Sequence, residues 1–481
     1  MKVALLADFG STYTKVVAVD LAEGALAGTA QAATSLDGDV LDGYQDAADA
    51  AVHEARGRSP GATVEVAAEL AASSAGGGMR MAAVGLVDSL TAAAASMAAL
   101  NAGARLAGTF AGTLTDADAE RLAALDPEIV LFAGGTDGGQ RTLVRDNAKV
   151  IAPATGSAHV VVACNADVAN EVGAAFLPYA RSVTIVPNVL PDIGVTSFDG
   201  ARDAISAVFI GEVIAGKRLS SSLRFLQMVR MATPDAVFRA AVLYARTRQD
   251  AGDGVVVTDV GGATTDVYSV LQRKPVSGFG TARKGFVSSA ELRTVQGDLG
   301  LRSNARGVLE ADGAWLAGQR LPGQPEMTGA ELAAACQRRS DQPDAIFDEG
   351  AERVLDERLT VSCLFRALER HCGQRAVRTG VGGRPALVEQ GPNLTGCRAL
   401  VAGGGIMRAA AGQQAVAAAT PAGLVRQAIA RLPEHVLAPR QCQVVVDRRY
   451  VLAAAGLLAS AQPQIAESLL RRELVEEPAD D

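Results

Sequence analysis

The chain has 481 residues, of which 49% are hydrophobic and 20% charged, and this is enough material for about three domains. Its net charge of −8 at pH 7 leaves no general excess of cations to neutralise phosphates, so generic nucleic-acid binding is not expected. The apolar runs are too short for a secretory signal or a membrane span, and a soluble cytoplasmic protein is therefore expected.

The first motif lies at the start of the chain. The apolar residues 3–7 lead into Asp8-Phe9-Gly10-Ser11-Thr12-Tyr13-Thr14-Lys15, and a second apolar run follows at 16–19. This pattern predicts two strands joined by a tight polar turn. In such a turn a carboxylate can hold a hydrated metal ion, glycine lets backbone N–H groups approach an anion, and hydroxyls add donors.

A separate α/β unit is predicted from residue 64 to about 190. Ala-rich helical patterns at 88–102, 116–125, 141–150 and 166–176 alternate with apolar runs at 80–86, 105–110, 129–133, 160–163 and 183–186. The alternation predicts a parallel sheet covered on both faces, inserted into the first half of the chain.

One strand of this unit runs into a glycine-rich turn, Gly134-Gly135-Thr136-Asp137-Gly138-Gly139, before a helix begins. The carboxyl end of a strand in an open α/β sheet is where anions and ligands bind. The same residues also suit a sharp strand-to-helix turn capped by Thr136 or Asp137. Both interpretations stay open.

The second motif follows a helical stretch at 200–250. It reads Asp259-Val260-Gly261-Gly262-Ala263-Thr264-Thr265-Asp266 and again lies between two apolar runs. Its residues match those of the first turn at one constant offset: Asp8 with Asp259, Gly10 with Gly261, and Thr14 with Thr265. Two such turns suit a nucleoside triphosphate held between them. Asp266 occupies the register of Lys15, so the halves are unequal, and we expect only a structural or supporting role for it.

The remaining chain alternates loops and helices. Residues 278–301 read as loop-rich, 303–370 as helical and 380–396 as a turn-rich loop. An apolar strand at 399–402 then runs into Gly403-Gly404-Gly405 and an Ala-rich helix, and glycines at this point let the backbone pack against a flat ligand. A strand at 444–447 and a small-residue helix at 450–459 lie near the end.

The six cysteines are scattered, without a Cys-x-x-Cys pair, and we expect them to be reduced and buried. The nearest approach to a cluster is His371-Cys372 with Cys363. This spacing does not favour a zinc site.

The three glycine-containing motifs resemble the first phosphate, second phosphate and adenosine motifs of the actin/Hsp70/sugar-kinase superfamily, and they occur in its order. Within it the chain resembles the MutL (GlmL) family encoded beside adenosylcobalamin-dependent glutamate mutase, which is unrelated to the mismatch-repair protein of that name. The residues that carry this second resemblance are 8–16, 68–77, 133–139, 259–267 and 293–302.

The resemblance implies an α/β protein with an actin-like ATPase fold, in which two RNase H-like halves close on ATP and Mg²⁺. The expected divisions are 1–60 for the first part of half I, 61–195 for the inserted α/β domain, 196–250 for the helical remainder of half I, and 251–481 for half II with a helical insertion around 303–370.

The resemblance also implies roles for residues. Asp8 and Asp259 are the implied catalytic and magnesium-binding carboxylates. The implied ATP-binding residues are Gly10, Ser11, Thr12, Thr14, Lys15, Gly261, Gly262, Thr264, Thr265, Gly403, Gly404 and Gly405.

The implied function is that of an ATP-binding and ATP-hydrolysing, chaperone-like reactivating factor. Its protein partner is implied to be an adenosylcobalamin-dependent mutase, glutamate mutase or a related aminomutase, and the inserted unit is the candidate partner-facing domain. Two alternatives stay open. One is a small-molecule kinase or an ATP-dependent hydantoinase-like or oxoprolinase-like enzyme of the same superfamily. The other is a scaffold protein with a vestigial nucleotide site.

Overall fold

The computed structural model describes residues 1–35, 38–58, 61, 63–74, 79–87, 91, 92, 94–96, 98, 105–193, 195–216, 219–248, 250–272, 290–319, 327–343, 345, 350–379, 385–407 and 420–475. Its strands are β1 (Lys2–Phe9), β2 (Tyr13–Asp20), β3 (Leu26–Ala33), β4 (Glu65–Ser73), β5 (Arg80–Val84), β6 (Arg105–Phe110), β7 (Ile129–Phe132), β8 (His159–Val162), β9 (Ser182–Ile185), β10 (Val229–Ala232), β11 (Gly254–Val260), β12 (Thr265–Leu271), β13 (Glu291–Gln296), β14 (Gln374–Thr379), β15 (Pro385–Gln390), β16 (Ala399–Gly404) and β17 (Gln443–Val446).

The α-helices are α1 (Val40–Arg58), α2 (Asp116–Leu125), α3 (Thr142–Ile151), α4 (Ala169–Phe176), α5 (Asp199–Gly216), α6 (Leu223–Met228), α7 (Thr233–Thr247), α8 (Ala305–Ala317), α9 (Gly329–Asp341), α10 (Gly350–His371), α11 (Pro421–Ala430), α12 (Val451–Leu458) and α13 (Pro463–Glu473). None of these described helices is both long enough and apolar enough to cross a membrane.

Two sheets share one topology. In the first, the order is β10-β4-β1-β2-β3, with β1, β2 and β3 antiparallel and β4 and β10 parallel to β1. In the second, read in the same sense, the order is β17-β16-β11-β12-β13, with β16 and β17 parallel to β11 and with β11, β12 and β13 antiparallel. The chain therefore builds two RNase H-like halves, half I around β1 and half II around β11.

Both sheets are buried on both faces because their central strands are continuously apolar. Val3 and Leu5 of β1 pack with α1, while Ala4 and Leu6 point to the opposite face and pack with α7, α12 and α13. Those three helices also pack on Val257 of β11. A shared helical layer thus lies between the two sheets and holds the halves side by side.

The third sheet has the order β6-β5-β7-β8-β9, and all of its strands are parallel. Leu122 of α2, Val144 of α3 and Phe176 of α4 cover one face, and Ile205 of α5 belongs to the core on the other. The predicted parallel sheet, covered on both faces and inserted in the first half, is confirmed. Most of the predicted helix at 88–102 lies outside the described residues.

Three sequence-based expectations differ from the structure. β4, which we expected in the inserted unit, pairs with β1 and lies in the sheet of half I. Residues 291–296, expected in a loop-rich segment, form β13 at the edge of the second sheet. The expected loop at 380–396 contains β15, which pairs with β14 in a separate hairpin. The polar residues of β13 hid the first strand, and the glycines and prolines around β15 hid the second.

Candidate functional site

The first polar turn joins β1 to β2 and is closed by a backbone hydrogen bond. The N–H of Gly10 donates to the carbonyl of Tyr13 at 3.1 Å, and a Cβ on Gly10 would lie 2.7 Å from that oxygen. Asp8 lies directly opposite Lys15, and Asp8 Oδ2 is 3.4 Å from Lys15 Nζ. The turn therefore places a carboxylate and a cation side by side at the end of the first sheet.

The second polar turn joins β11 to β12 and repeats the same bond. The N–H of Gly261 donates to the carbonyl of Thr264 at 2.8 Å, at the positions equivalent to the first turn. Asp259 lies opposite Asp266 rather than opposite a lysine. The two turns are thus alike in backbone and unlike in charge, as the sequence predicts.

The structure brings the three glycine-containing motifs together. A Cβ on Gly262 would lie 3.2 Å from Thr12 Oγ1, so the tips of the two turns approach each other. Gly403 pairs with Asp259, and a Cβ there would lie 3.6 Å from Asp259 Oδ1. Gly404 has a φ of +113°, and a Cβ would lie 2.2 Å from the carbonyl oxygen of Val260, so only glycine fits. The three motifs therefore lie together where the two halves face each other, and we call this place the cleft.

Two predicted phosphate ligands point elsewhere. Thr14 and Thr265 are fully buried. Thr14 Oγ1 is 3.1 Å from Thr34 Oγ1, and Thr265 Oγ1 donates to the carbonyl of Leu299 at 2.9 Å. Successive strand residues face opposite sides, so the neighbours of Lys15 and Asp266 turn away from the cleft. The structure therefore gives these two hydroxyls roles within the sheets.

The other predicted ATP-binding residues lie along the cleft. Ser11, Thr12, Gly261 and Thr264 are half-buried, and Gly405 is exposed. The hydroxyl of Thr12 is buried and has no hydrogen-bond partner among the described residues. A buried hydroxyl without a partner is costly, and a ligand oxygen in the cleft would satisfy it.

Residues outside the motifs hold the two charged groups of the first turn. Thr233 Oγ1, at the start of α7, donates to Asp8 Oδ1 at 2.5 Å. Lys15 Nζ lies 4.4 Å from the centre of the Tyr450 ring. Burial lowers the pKa of Lys15, but the negative charge of Asp8, together with Tyr450 and Asp259, raises it overall, so the ammonium stays charged.

Asp447 is a third carboxylate of the cleft that sequence reasoning missed. Burial, together with the like charges of Asp8 and Asp447, raises the pKa of Asp259 to about 6, although Lys15 opposes the shift. Asp447 itself accepts the N–H groups of Val451 at 2.9 Å and Leu452 at 3.1 Å, at the start of α12. The signal was an aspartate between a strand and a helix, where it caps the helix.

The carboxylates of this cleft fit a magnesium ion bound together with phosphates. In the described part of the chain, no group of three or more His, Cys, Asp and Glu side chains is arranged to hold a metal ion by itself. Magnesium usually takes one or two carboxylates and completes its shell with water and substrate phosphates. Asp8 and Asp259, each opposite the partner strand's residue at the end of its hairpin, are carboxylates of that type.

The loop that follows β13 supports the second turn from behind. Its donors bind the three carbonyl groups of the turn: Leu301 N–H to Gly261 at 3.1 Å, Arg302 N–H to Gly262 at 2.7 Å, and Asn304 Nδ2 to Ala263 at 2.6 Å. Because the carbonyls are held on this side, the turn is fixed in position. This contact gives the 293–302 segment a structural role that the sequence did not reveal.

Arg293 of β13 ties half II to half I. It is fully buried and its Nη1 donates to Asp235 Oδ1 of α7 at 2.8 Å. Asp235 Oδ2 in turn accepts from Ser206 Oγ of α5 at 2.7 Å. One short polar chain thus connects the second sheet, the helix that bears Thr233, and the helix that covers the inserted sheet.

Asp266 predicts a pH dependence of stability. Burial raises its pKa to about 7, although Arg293 opposes the shift, so between about pH 4 and 7 the folded state binds more protons than the unfolded state. Stability contributed by this group is therefore lost as pH rises through 7. Asparagine does not titrate. In metal-free buffer, the unfolding free energy of Asp266→Asn relative to wild type should therefore be about 1–3 kcal/mol higher at pH 8 than at pH 4.

Urea unfolding at the two pH values measures this gain. Asp250→Asn is the matched control, because Arg248 lowers the pKa of Asp250. The unfolding free energy of Asp250→Asn relative to wild type should not rise from pH 4 to pH 8. An equal rise in both variants would contradict the raised pKa of Asp266.

The cysteines agree with the sequence-based expectation. Every cysteine is free, and all are buried except the half-buried Cys442. His371 lies between Thr294 Oγ1 at 2.9 Å and Ser269 Oγ at 3.0 Å, and burial lowers its pKa to about 3. The histidine beside Cys372 is therefore a neutral core residue.

The glycine-rich turn after β7 does not cap the following helix. Asp137 Oδ1 accepts the N–H of Ala166 and Nδ2 of Asn188, both at 2.9 Å, and so joins the loops after β8 and β9. Gln140 caps the helix α3 instead, since its Oε1 accepts the N–H groups of Thr142 at 2.9 Å and Leu143 at 3.4 Å. The capping interpretation is wrong, and anion binding there stays a prediction.

Two RNase H-like halves, with paired polar turns facing a common cleft, define an actin-like ATPase fold with an inserted α/β unit. The comparison of sequences then identifies the family. The family model for the MutL protein matches residues 4–474, and this chain belongs to the MutL family.

The chain is also similar to individual proteins. Protein MutL of Clostridium tetanomorphum is 32% identical over 480 residues, which cover 99% of this chain and 100% of the relative. Solved structures are more distant: acetone carboxylase in a nucleotide-free state has 12% identity and a TM-score of 0.38, covering 95% of this chain and 70% of that one. A glycerol dehydratase reactivase has 11% identity and a TM-score of 0.34, covering 96% and 100%. TM-scores this low do not support a fold assignment. The assignment rests instead on the strand order of the two sheets.

Proposed function

We propose that the cleft binds one magnesium–ATP between the two turns. The observation that supports this proposal best is the approach of Thr12 to Gly262, since it brings the tips of two like hairpins from separate sheets together. The buried hydroxyl of Thr12 supports it, because this group lacks a partner in the described structure. A triphosphate needs donors on both sides, and paired turns supply them.

The proposed roles follow the geometry of the cleft. Asp8, held by Thr233 and Lys15, and Asp259 would bind the magnesium ion through its water shell. The ion would neutralise phosphate charge during hydrolysis. The N–H groups and hydroxyls proposed to hold the phosphates belong to Ser11, Thr12, Gly262 and Thr264. Gly10 and Gly261 would shape the two turns, because their own N–H groups close them. Lys15 adds a positive charge, and Gly403, Gly404 and Gly405 would lie against the adenosine.

We also propose that the protein is a cytoplasmic accessory or reactivating factor for an adenosylcobalamin-dependent mutase. Membership of the MutL family supports this role, because the family resemblance implies a mutase partner. The cycle of ATP binding and hydrolysis would shift the halves between two arrangements with different affinity for the mutase.

The inserted α/β unit is the proposed partner-facing part. Several large apolar side chains are exposed on it, and exposed apolar surface marks interaction sites. These residues are Val87, Leu177, Tyr179, Ile185, Ile193 and Val195. Ile185 belongs to β9, an edge strand of the inserted sheet, so apolar surface and an open edge coincide there.

The first turn of α7 provides a physical connection between cleft and insert. Thr233 binds Asp8 in the cleft, and Asp235, two residues later, binds Ser206 of α5. A shift of Asp8 on metal binding would be transmitted through these contacts to α5. Since α5 covers one face of the inserted sheet, the shift would also reach that sheet. This connection supports an ATP-dependent change in the partner-facing unit.

ATP hydrolysis with and without a purified adenosylcobalamin-dependent mutase tests the proposal. We expect the mutase to stimulate hydrolysis, and we expect the protein with ATP to restore a mutase inactivated by damaged cobalamin. Both effects should be absent in Asp8→Ala and Asp259→Ala. Phosphorylation of a metabolite without any mutase would contradict the accessory role and indicate a kinase, and absent nucleotide binding would contradict both.

A further inference from the structure

Tyr450 has a backbone conformation that its residue type disfavours. Its φ is +58° and its ψ +32°, in the left-handed region, where a non-glycine residue costs roughly 1–2 kcal/mol. Among the described residues other than glycine, only Asp126 shares a positive φ. Strain of this kind persists where the surrounding structure holds it, often at functional sites. The contacts of Tyr450 should therefore show what maintains this backbone conformation.

The surrounding structure holds Tyr450 from both sides. It lies between β17 and α12, at the N-cap of that helix. Asp447 fixes the turn by accepting N–H groups of Arg449 at 3.3 Å, Val451 at 2.9 Å and Leu452 at 3.1 Å. Asp447 is only 4% exposed. The direction of the Tyr450 side chain is thus set by a buried, well-bonded turn of half II.

The ring reaches across the cleft to half I. Its centre lies 4.4 Å from Lys15 Nζ, and its Oη is 3.4 Å from Gln31 Oε1 of β3. A Cβ on Gly405 would lie 3.6 Å from the same Oη. The ring is therefore next to the lysine of the first turn and to the third glycine motif at once.

Lys15 is held on two sides by different kinds of group. Asp8 Oδ2 lies 3.4 Å from Nζ on one side, and the Tyr450 ring face lies on the other. A free lysine side chain loses about 2 kcal/mol of rotamer entropy when it is ordered. A cation–π contact of roughly 0.5–2 kcal/mol restrains the ammonium without adding a second negative charge. Such a contact leaves the positive charge available to an anion.

We propose that Tyr450 is a positioning residue that orders Lys15 for the phosphates of the nucleotide. The inference rests on the proposed nucleotide site and adds a residue from half II to the phosphate side of half I. The ring contact on Lys15 exists only while the two halves stay at this distance. Closure of the halves and phosphate binding are thereby linked through one aromatic ring.

Substitutions at position 450 separate this role from a structural one. Asparagine and glycine tolerate positive φ, so Tyr450→Asn and Tyr450→Gly remove the ring while relieving the backbone. Their melting temperatures should be equal to or above wild type. Tyr450→Phe keeps the ring and removes only the hydroxyl near Gln31.

Titrations with magnesium–ATP, inorganic triphosphate and adenosine provide the first measurement. The Kd for ATP and for triphosphate should rise roughly threefold to thirtyfold in the Asn and Gly variants. The Kd for adenosine should stay unchanged, and Tyr450→Phe should bind all three ligands within twofold of wild type. Unchanged triphosphate affinity in the Asn and Gly variants would overturn the inference.

Acylation of lysines in nucleotide-free protein gives a second measurement. Lys15 should react faster relative to Lys149, whose side chain is 72% exposed, once the ring is removed. If wild type binds neither ATP nor triphosphate, the proposed function is wrong. In that case faster Lys15 acylation in Tyr450→Asn would still show that the ring orders Lys15, and an unchanged rate would overturn that ordering as well.

Discussion

Replacing Asp8 by alanine is expected to reduce the kcat of magnesium–ATP hydrolysis at least a hundredfold. Phosphoryl transfer depends on positioned charge, and removing one group that stabilises the transition state typically costs on the order of 10²–10³ in rate. Asp8 is 8% exposed, lies opposite Lys15 and accepts a hydrogen bond from Thr233 at 2.5 Å. Steady-state phosphate release from purified protein, with and without the mutase, measures the effect.

Thr233 supplies the matched control. Thr233→Val keeps the shape but removes the donor to Asp8 Oδ1, and we expect a loss of about tenfold, the rate equivalent of roughly one hydrogen bond to a charged group. Thr233→Ser keeps the hydroxyl and should hydrolyse ATP almost as wild type does. Hydrolysis by Asp8→Ala at more than half the wild-type rate would exclude Asp8 from the machinery.

Replacing Arg293 by methionine is expected to lower the free energy of unfolding by about 3–5 kcal/mol. Removing one partner of a buried ion pair leaves the other charge buried without compensation. Arg293 is fully buried, and the Asp235 carboxylate that it binds at 2.8 Å is 8% exposed in its side chain. Guanidinium unfolding followed by a signal from half II measures the loss.

Two further variants define the source of this loss. Arg293→Met combined with Asp235→Leu should recover much of the stability, because no buried charge then remains. Arg181→Met removes an exposed arginine that pairs with Glu212, and it should cost less than about 1 kcal/mol. A loss for Arg293→Met no larger than that for Arg181→Met would contradict the link between the halves.

The strand and turn pattern could be predicted from the sequence because it is local. The two hairpins follow directly from short apolar runs around polar turns, and their equivalence follows from one constant offset. The inserted parallel sheet was likewise visible in the alternation of apolar runs and Ala-rich helices. Each of these signals depends on neighbours in sequence.

Other features depend on contacts distant in sequence. β13 carries Arg293, and Asp235 of α7 compensates the burial of this charge. Since Asp235 is distant in sequence, β13 reads as a polar loop. Asp447 and Tyr450 enter the cleft only because β17 lies beside β16.

Strand alternation explains why two of the predicted phosphate ligands, Thr14 and Thr265, do not face the cleft. With Lys15 facing the cleft, the preceding Thr14 must face the other side. The same reasoning applies to Thr265 beside Asp266. The structure gives both threonines buried hydrogen bonds inside their own half.

A calorimetric titration with magnesium–ATP tests the central claim, that the two turns form one nucleotide site, most directly. Wild type should bind one nucleotide per chain, and both Lys15→Ala in the first turn and Gly262→Val in the second should weaken binding at least tenfold. The valine side chain would enter the space beside Thr12. Two nucleotides per chain, or a loss confined to substitutions in one turn, would contradict a shared site.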